Sequence, residues 1–243
     1  MAMDIEFFPC REDNFGVLIR DPATGKVAAI DAPEEAAIRA ALARRGWGLD
    51  VILITHRHHD HIEAVPALKA AFGATVVAPV LAKAEVPQAD RYVDEGDVVE
   101  IGTLKAEVWF TPGHCADHVS YHFAQEKVLF AGDTLFAMGC GRVFDSTPEK
   151  LYAALQRMAA LPEETRVYCG HEYTLSNARF CAHIEPENAA IKARLAKVEA
   201  LRAEGKFTVP TTIGEERQTN VFMRAKDAVE FAARREGKNN FRG

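Results

Sequence analysis

Four short apolar runs in this chain each stop at side chains of the kind that bind metal ions, and that recurrence constrains the fold more than any other feature. Val51-Ile52-Leu53-Ile54 runs into Thr55-His56-Arg57-His58-His59-Asp60-His61. Glu107 to Phe110 is followed by Thr111-Pro112-Gly113-His114, Lys127 to Phe130 by Ala131-Gly132-Asp133-Thr134, and Val167-Tyr168-Cys169 by Gly170-His171. A short apolar run bounded by polar residues reads as a buried strand, and such strands deliver the side chains that follow them to one edge of a sheet. Within the longest cluster, His56 and His58 point the same way because the side-chain period is two. Asp60 and His61 follow where Ile62-Glu63-Ala64-Val65 begins a helix, so they project at another angle. Two groups of ligands leaving one loop in two directions suit two adjacent metal ions better than one. Imidazole and carboxylate together favour zinc, iron or manganese, and the lack of thiolates in the run argues against a closed structural zinc site.

The remainder of the chain places this cluster in a mixed α/β domain with a helical appendage. Phe15 to Ile19 and Val27 to Ile30 read as strands around the turn Asp21-Pro22-Ala23-Thr24-Gly25. Pro33 to Arg45 reads as a helix that Gly46 stops. Val51 to Thr55, Thr75 to Ala78, Glu107 to Phe110, Val119 to Phe123 and Lys127 to Phe130 are further strands. Ser146-Thr147-Pro148-Glu149 reads as a helix start with the form of a capping box, leading into Leu151 to Leu161. After Val167–Cys169 the texture becomes helical, notably Asn188 to Glu204 and Asp227 to Glu236. The chain therefore divides near residue 172, into a catalytic part (1–172) and a helical part (173–243).

Composition excludes several functions. No apolar run approaches membrane-spanning length, and the segment Met1 to Glu6 lacks the basic and apolar regions of a secretory leader. Five cysteines without a C-x-x-C pair read as reduced thiols of a cytoplasmic protein. A net charge of −6 speaks against a nucleic-acid surface. Against that acidic background, Arg224 to Arg242 carries six basic residues and three acidic ones. No protein partner is expected.

The order H-x-H-x-D-H, P-G-H, G-D-T and G-H-E-Y resembles the metallo-β-lactamase superfamily. The resemblance implies an α/β fold, an αββα sandwich followed by a smaller α-helical domain, with a dinuclear site. It places His56, His58 and His114 on one ion, Asp60, His61 and His171 on the other, and Asp133 between them. Asp13-Asn14-Phe15-Gly16, Gly139-Cys140-Gly141-Arg142 and Cys169-Gly170-His171-Glu172-Tyr173 narrow the likeness to the glyoxalase II family. So do Thr208-Val209-Pro210-Thr211-Thr212, Asn220-Val221-Phe222-Met223-Arg224 and Arg235-x-x-Lys238-x-x-Phe241 in the tail.

That family hydrolyses S-D-lactoylglutathione to D-lactate and glutathione, the second step of methylglyoxal degradation. The donor set suits the chemistry: zinc lowers the pKa of bound water to about 7, so a hydroxide shared by two ions would attack the thioester. A thiolate leaves without a strong general acid, its pKa being near 8.5. The resemblance gives Asp60 and Asp133 the catalytic positions; Asp60 would also orient the hydroxide. It puts Arg142, Phe144, Tyr173, Arg235 and Lys238 in the glutathione pocket, Arg235 and Lys238 meeting the peptide's carboxylates. Phe144 stands where the family often has Tyr, Cys115 where it has Thr, and Asp117 where it has Gly; His59 fills a variable slot. The rival readings are a persulfide dioxygenase, a lactonase or β-lactamase, and a non-catalytic metal-binding scaffold.

Overall fold

The computed structural model describes residues 3–243. Met1 and Ala2, which begin the segment read above as lacking a leader, lie outside the described residues. By backbone contacts the chain forms two compact units.

One unit takes the residues up to Phe110 together with Asp117–Gly132. Its first sheet runs in chain order through β1 (Asp4–Cys10), β2 (Asn14–Arg20), β3 (Val27–Ile30), β4 (Val51–Leu53), β5 (Thr75–Pro79) and β6 (Arg91–Val93). The first three strands are antiparallel, and β3 through β6 are parallel. Parallel neighbours need a crossover. Helix α1 (Glu35–Arg45) supplies it between β3 and β4, and α2 (His59–Ile62) with α3 (Val65–Phe72) between β4 and β5. Gly46 ends α1 in the left-handed conformation, as the sequence predicts. Leu18, Ile38, Leu42, Ile52, Val65 and Leu68 close the core under this sheet. Strands β7 (Val98–Ile101), β8 (Leu104–Phe110), β9 (Val119–Phe123) and β10 (Val128–Gly132) follow as an antiparallel meander.

The sequence reading starts a helix at Ile62, but the structure starts α2 three residues earlier and restarts as α3 at Val65. His58 keeps an extended conformation and its carbonyl accepts the His61 amide at 2.9 Å, so Asp60 and His61 lie within one helical turn. Strands β1, β6 and β7 carry weaker apolar patterns and were not predicted.

The second unit takes Thr111–Ala116 and Asp133–Gly243. A small hairpin, β11 (Leu135–Phe136) with β12 (Gly139–Cys140), begins two residues after Asp133. Helix α4 (Pro148–Ala159) starts within the expected segment Ser146–Glu149, where the Thr147 hydroxyl accepts from the Lys150 amide while Pro148 needs no partner. After β13 (Arg166–Cys169) come α5 (Thr174–Ile184), α6 (Ala189–Ala203), β14 (Thr211–Thr212), α7 (Ile213–Thr219) and α8 (Ala228–Asn240). Asn188, Thr212 and Asp227 cap three of them through their side chains. No helix among the described residues is long and apolar enough to cross a membrane.

Candidate metal centre

In the first unit, β4 hands its end to the histidine run. His56 and His61 are buried and Asp60 is partly exposed. The nitrogens His56 Nε2 and His58 Nδ1 stand 3.0 Å apart. Two imidazoles on one tetrahedral zinc, each about 2.0–2.1 Å from it, hold their donor atoms about 3.3 Å apart, so the pair is already spaced as ligands of one ion. The Nδ1 atoms of His61 and His56 are engaged by side chains. His61 Nδ1 lies 2.8 Å from Asp31 Oδ2, and the same oxygen takes the Thr55 hydroxyl at 2.8 Å. Thr55 Oγ1 in turn meets His56 Nδ1 at 3.0 Å. An imidazole that donates Nδ1–H to a carboxylate keeps Nε2 as an electron-pair donor, the arrangement that orients histidine ligands in metalloenzymes. Asn14 Nδ2 donates to Asp60 Oδ2 at 3.0 Å, fixing that carboxylate from β2. Gly132 packs so tightly here that a Cβ would lie 2.6 Å from His118 Nε2 and 2.8 Å from Thr55 Oγ1.

In the second unit, His114 Nε2 and His171 Nε2 lie 3.6 and 3.3 Å from the same oxygen, Asp133 Oδ2. All three residues are buried. His114 Nδ1 donates to the Arg142 carbonyl at 2.8 Å, which again leaves Nε2 for a metal. Gly141 sits against Asp133 and His114, and an added Cβ would overlap the Asp133 carbonyl. The ring of Tyr173 stacks on His171, with centroids 4.7 Å apart and planes 1° from parallel. Phe144 meets His114 edge-on at 5.2 Å and is 63% exposed, leaving an aromatic surface beside the ligand.

The candidate ligands thus divide between the units, with His56, His58, Asp60 and His61 in the first and His114, Asp133 and His171 in the second. Imidazoles with carboxylates, and no thiolate among them, form a donor set that fits divalent ions. His59 is different, with its side chain 76% exposed and Nδ1 at 3.5 Å from Glu63 Oε2.

The basic tail divides in two. Arg235 is buried; its Nη1 donates to the Cys140 carbonyl at 2.9 Å, its Nη2 to Asn239 Oδ1 at 3.1 Å, and its guanidinium lies 5.0 Å from the Phe222 ring centre. Lys238 is more accessible and donates to Ser176 Oγ at 2.6 Å. Burial, helped by the nearby Arg235 and Arg142 charges, lowers its pKa to about 8. Asp31 and Asn14 are the orienting residues for which sequence reasoning assigned no role. Asp31 follows the apolar run Val27–Ile30, the same strand-then-ligand pattern that marked Asp133.

The chain is similar to known proteins along nearly its whole length. The metallo-beta-lactamase superfamily model matches residues 16–171, and the model described as hydroxyacylglutathione hydrolase C-terminus matches residues 172–241. A hydroxyacylglutathione hydrolase from Methylobacterium sp. (strain 4-46) is 51% identical over 253 aligned positions, covering 98% of this chain and 99% of that one. One from Rhodopseudomonas palustris (strain HaA2) is 53% identical, covering 93% and 88%. Among solved structures, ETHE1 from Myxococcus xanthus superposes with a TM-score of 0.75 at 30% identity, covering 100% of this chain and 93% of that one. A metallo-β-lactamase domain is thus followed by a C-terminal helical domain, and its His/Asp groups mark a dinuclear metal site.

Proposed function

Because the chain belongs to the hydroxyacylglutathione hydrolase (glyoxalase II) family of the metallo-β-lactamase superfamily, we propose that it hydrolyses S-D-lactoylglutathione and related 2-hydroxyacyl-glutathione thioesters to the hydroxy acid and glutathione. The single observation that carries this reading is the two-part match: a hydrolase domain with its His/Asp groups and, behind it, the C-terminal region of the glutathione-thioester enzymes.

By the family's pattern, His56, His58 and His114 would hold one divalent ion, Asp60, His61 and His171 would hold a second, and Asp133 would serve both. Zinc is the ion proposed, with iron and manganese served by the same donors. Two such ions make a water acidic enough to serve as a nucleophile near neutral pH and polarise the carbonyl it meets. The chain's own part is orientation. Asp31 and the Arg142 carbonyl keep the Nδ1 protons of His61 and His114, so that the opposite nitrogens stay basic. Asn14 fixes Asp60, whose carboxylate would also accept a proton from the attacking water. No residue is required as an acid, since the leaving thiolate is stable near neutral pH.

Arg142, Phe144, Tyr173, Arg235 and Lys238 are the proposed substrate-binding residues. Tyr173 and Phe144 offer ring faces beside His171 and His114 for the peptide to lie against. Lys238 supplies an accessible cation for a glutathione carboxylate, while Arg235, buried beneath, acts on the pocket through the Cys140 carbonyl as well as through its charge. The division at residue 172 separates the proposed catalytic and glutathione-holding parts. A cytoplasmic location fits five cysteines that are all buried and unbridged.

The test is a comparison of two thioesters with the same lactoyl group, one on glutathione and one on N-acetylcysteamine, which lacks both carboxylates. The reading expects kcat/KM to favour the glutathione ester by at least about tenfold, roughly one charge-assisted contact. Equal values would remove glutathione from the proposal.

A further inference from the structure

We infer that the buried pair Glu216–Asn220 is a positioning device for the metal ligands, acting through the β11–β12 hairpin that follows Asp133. The inference rests on the proposed ligand roles of Asp133 and His114.

Glu216 lies on α7 and is fully buried. Its Oε1 accepts from Arg194 Nη2 and from the Thr211 hydroxyl, both at 2.6 Å. Its Oε2 accepts from the Met138 amide and from Asn220 Nδ2, both at 2.8 Å. Asn220 Nδ2 also reaches the Gly139 carbonyl at 2.9 Å, while Asn220 Oδ1 takes the Phe222 amide at 3.0 Å. Two more side chains complete the hold: Asn177 donates to the Ala137 carbonyl at 3.2 Å and Arg235 to the Cys140 carbonyl at 2.9 Å. The backbone of residues 137–140 is thus gripped at four consecutive positions by side chains of the helical region. Met138 needs that grip, because it has φ +55°, a left-handed conformation that non-glycine residues seldom adopt.

Both ends of the hairpin lead to proposed ligands. Asp133 precedes it by two residues. On the other side come Gly141, packed against the Asp133 carbonyl and the His114 ring, and then Arg142, whose carbonyl receives His114 Nδ1. A shift of the turn therefore moves the group that orients His114 and the backbone that carries Asp133. Stability alone is a poor reason for this arrangement, since an ion pair buried as Glu216–Arg194 gains little over apolar packing of the same volume. A carboxylate at 216 is explained by its two outward partners, the Met138 amide and Asn220.

Glu216→Gln keeps the shape but turns one acceptor into a donor, facing either the Met138 amide or Arg194. Zinc affinity measured by chelator competition should weaken about tenfold or more, the usual effect of losing an outer partner of a metal ligand. kcat should fall with it, while KM for the glutathione thioester stays within about twofold. A raised KM with unchanged zinc affinity would overturn the inference by assigning the pair to the substrate pocket, and unchanged values throughout would overturn it too. Should the variant not fold, hydrogen exchange on the wild-type chain decides. The Met138 amide is expected to be protected even without metal, and free exchange that zinc abolishes would show the ion organising the hairpin instead. Wild-type protein that binds no zinc would sink the metal-centre reading and this inference together; wild type that binds it beside an equally competent Glu216→Gln variant sinks only the inference.

Discussion

Asp31→Asn tests how far the first histidine run depends on its outer partners. Asp31 is buried at the end of β3 and spends both oxygens on the ligand run. Oδ1 accepts the Thr55 amide at 2.7 Å, and Oδ2 takes the Thr55 hydroxyl and His61 Nδ1 at 2.8 Å each. Asparagine is the clean replacement because residue 31 has φ +58°, which Asn tolerates and Ala does not. It can keep the Thr55 amide bond, but it then presents an N–H to His61 Nδ1. The stable tautomer of His61 becomes the one with its proton on Nε2, the nitrogen proposed to bind metal. A charge-assisted hydrogen bond of this kind contributes about 1.5–3 kcal/mol, which is about 10- to 150-fold in an equilibrium constant and agrees with the 10- to 100-fold range for outer partners of metal-bound histidines, roughly. Chelator competition on metal-free protein should therefore show zinc bound about 10- to 100-fold more weakly, with melting of the metal-free protein changed little. Zinc affinity within about twofold of wild type would refute the orientation argument.

Four further outcomes are expected. Asp133→Ala removes most bound metal and nearly all turnover, because two histidines face its Oδ2; near-normal turnover would remove the bridging role. Arg235→Ala raises KM for glutathione thioesters and, by leaving the Cys140 carbonyl without its donor, lowers folding stability by about 1–3 kcal/mol; lower stability with unchanged KM would make Arg235 a packing residue only. The Lys238 ammonium, with its pKa lowered to about 8 by burial, is charged below that pH and neutral above it, so KM rises as pH passes about 8. Lys238→Arg keeps its charge and should give a flat KM over the same range, whereas a flat wild-type profile would free Lys238 from carboxylate binding.

The proposed ligands were legible in the sequence because each follows a buried strand, where a lone His or Asp stands out against apolar neighbours. The strands at 27–30 and 119–123 matched their predicted spans for the same reason. Asp31 does not stand out although it directly follows one of those strands, because a single carboxylate before Ala-Pro also reads as a turn. The Glu216–Asn220 pair was not legible at all. Gly214-Glu215-Glu216-Arg217-Gln218 has the composition of a solvated helix, and only the packing of α7 shows that Glu216 is buried while Glu215 is not. Arg235 was marked by family spacing as a substrate contact, but its burial and its bond to Cys140 follow from where α8 packs, which spacing does not reveal.

The most direct test of the whole account is steady-state hydrolysis of S-D-lactoylglutathione with metal content determined on the same sample. The account predicts a kcat/KM of roughly 10⁵ M⁻¹s⁻¹ or more, within the usual range for enzymes, carried by about two divalent ions per chain. Two bound ions without any thioester hydrolysis would leave the fold intact and contradict the assigned function.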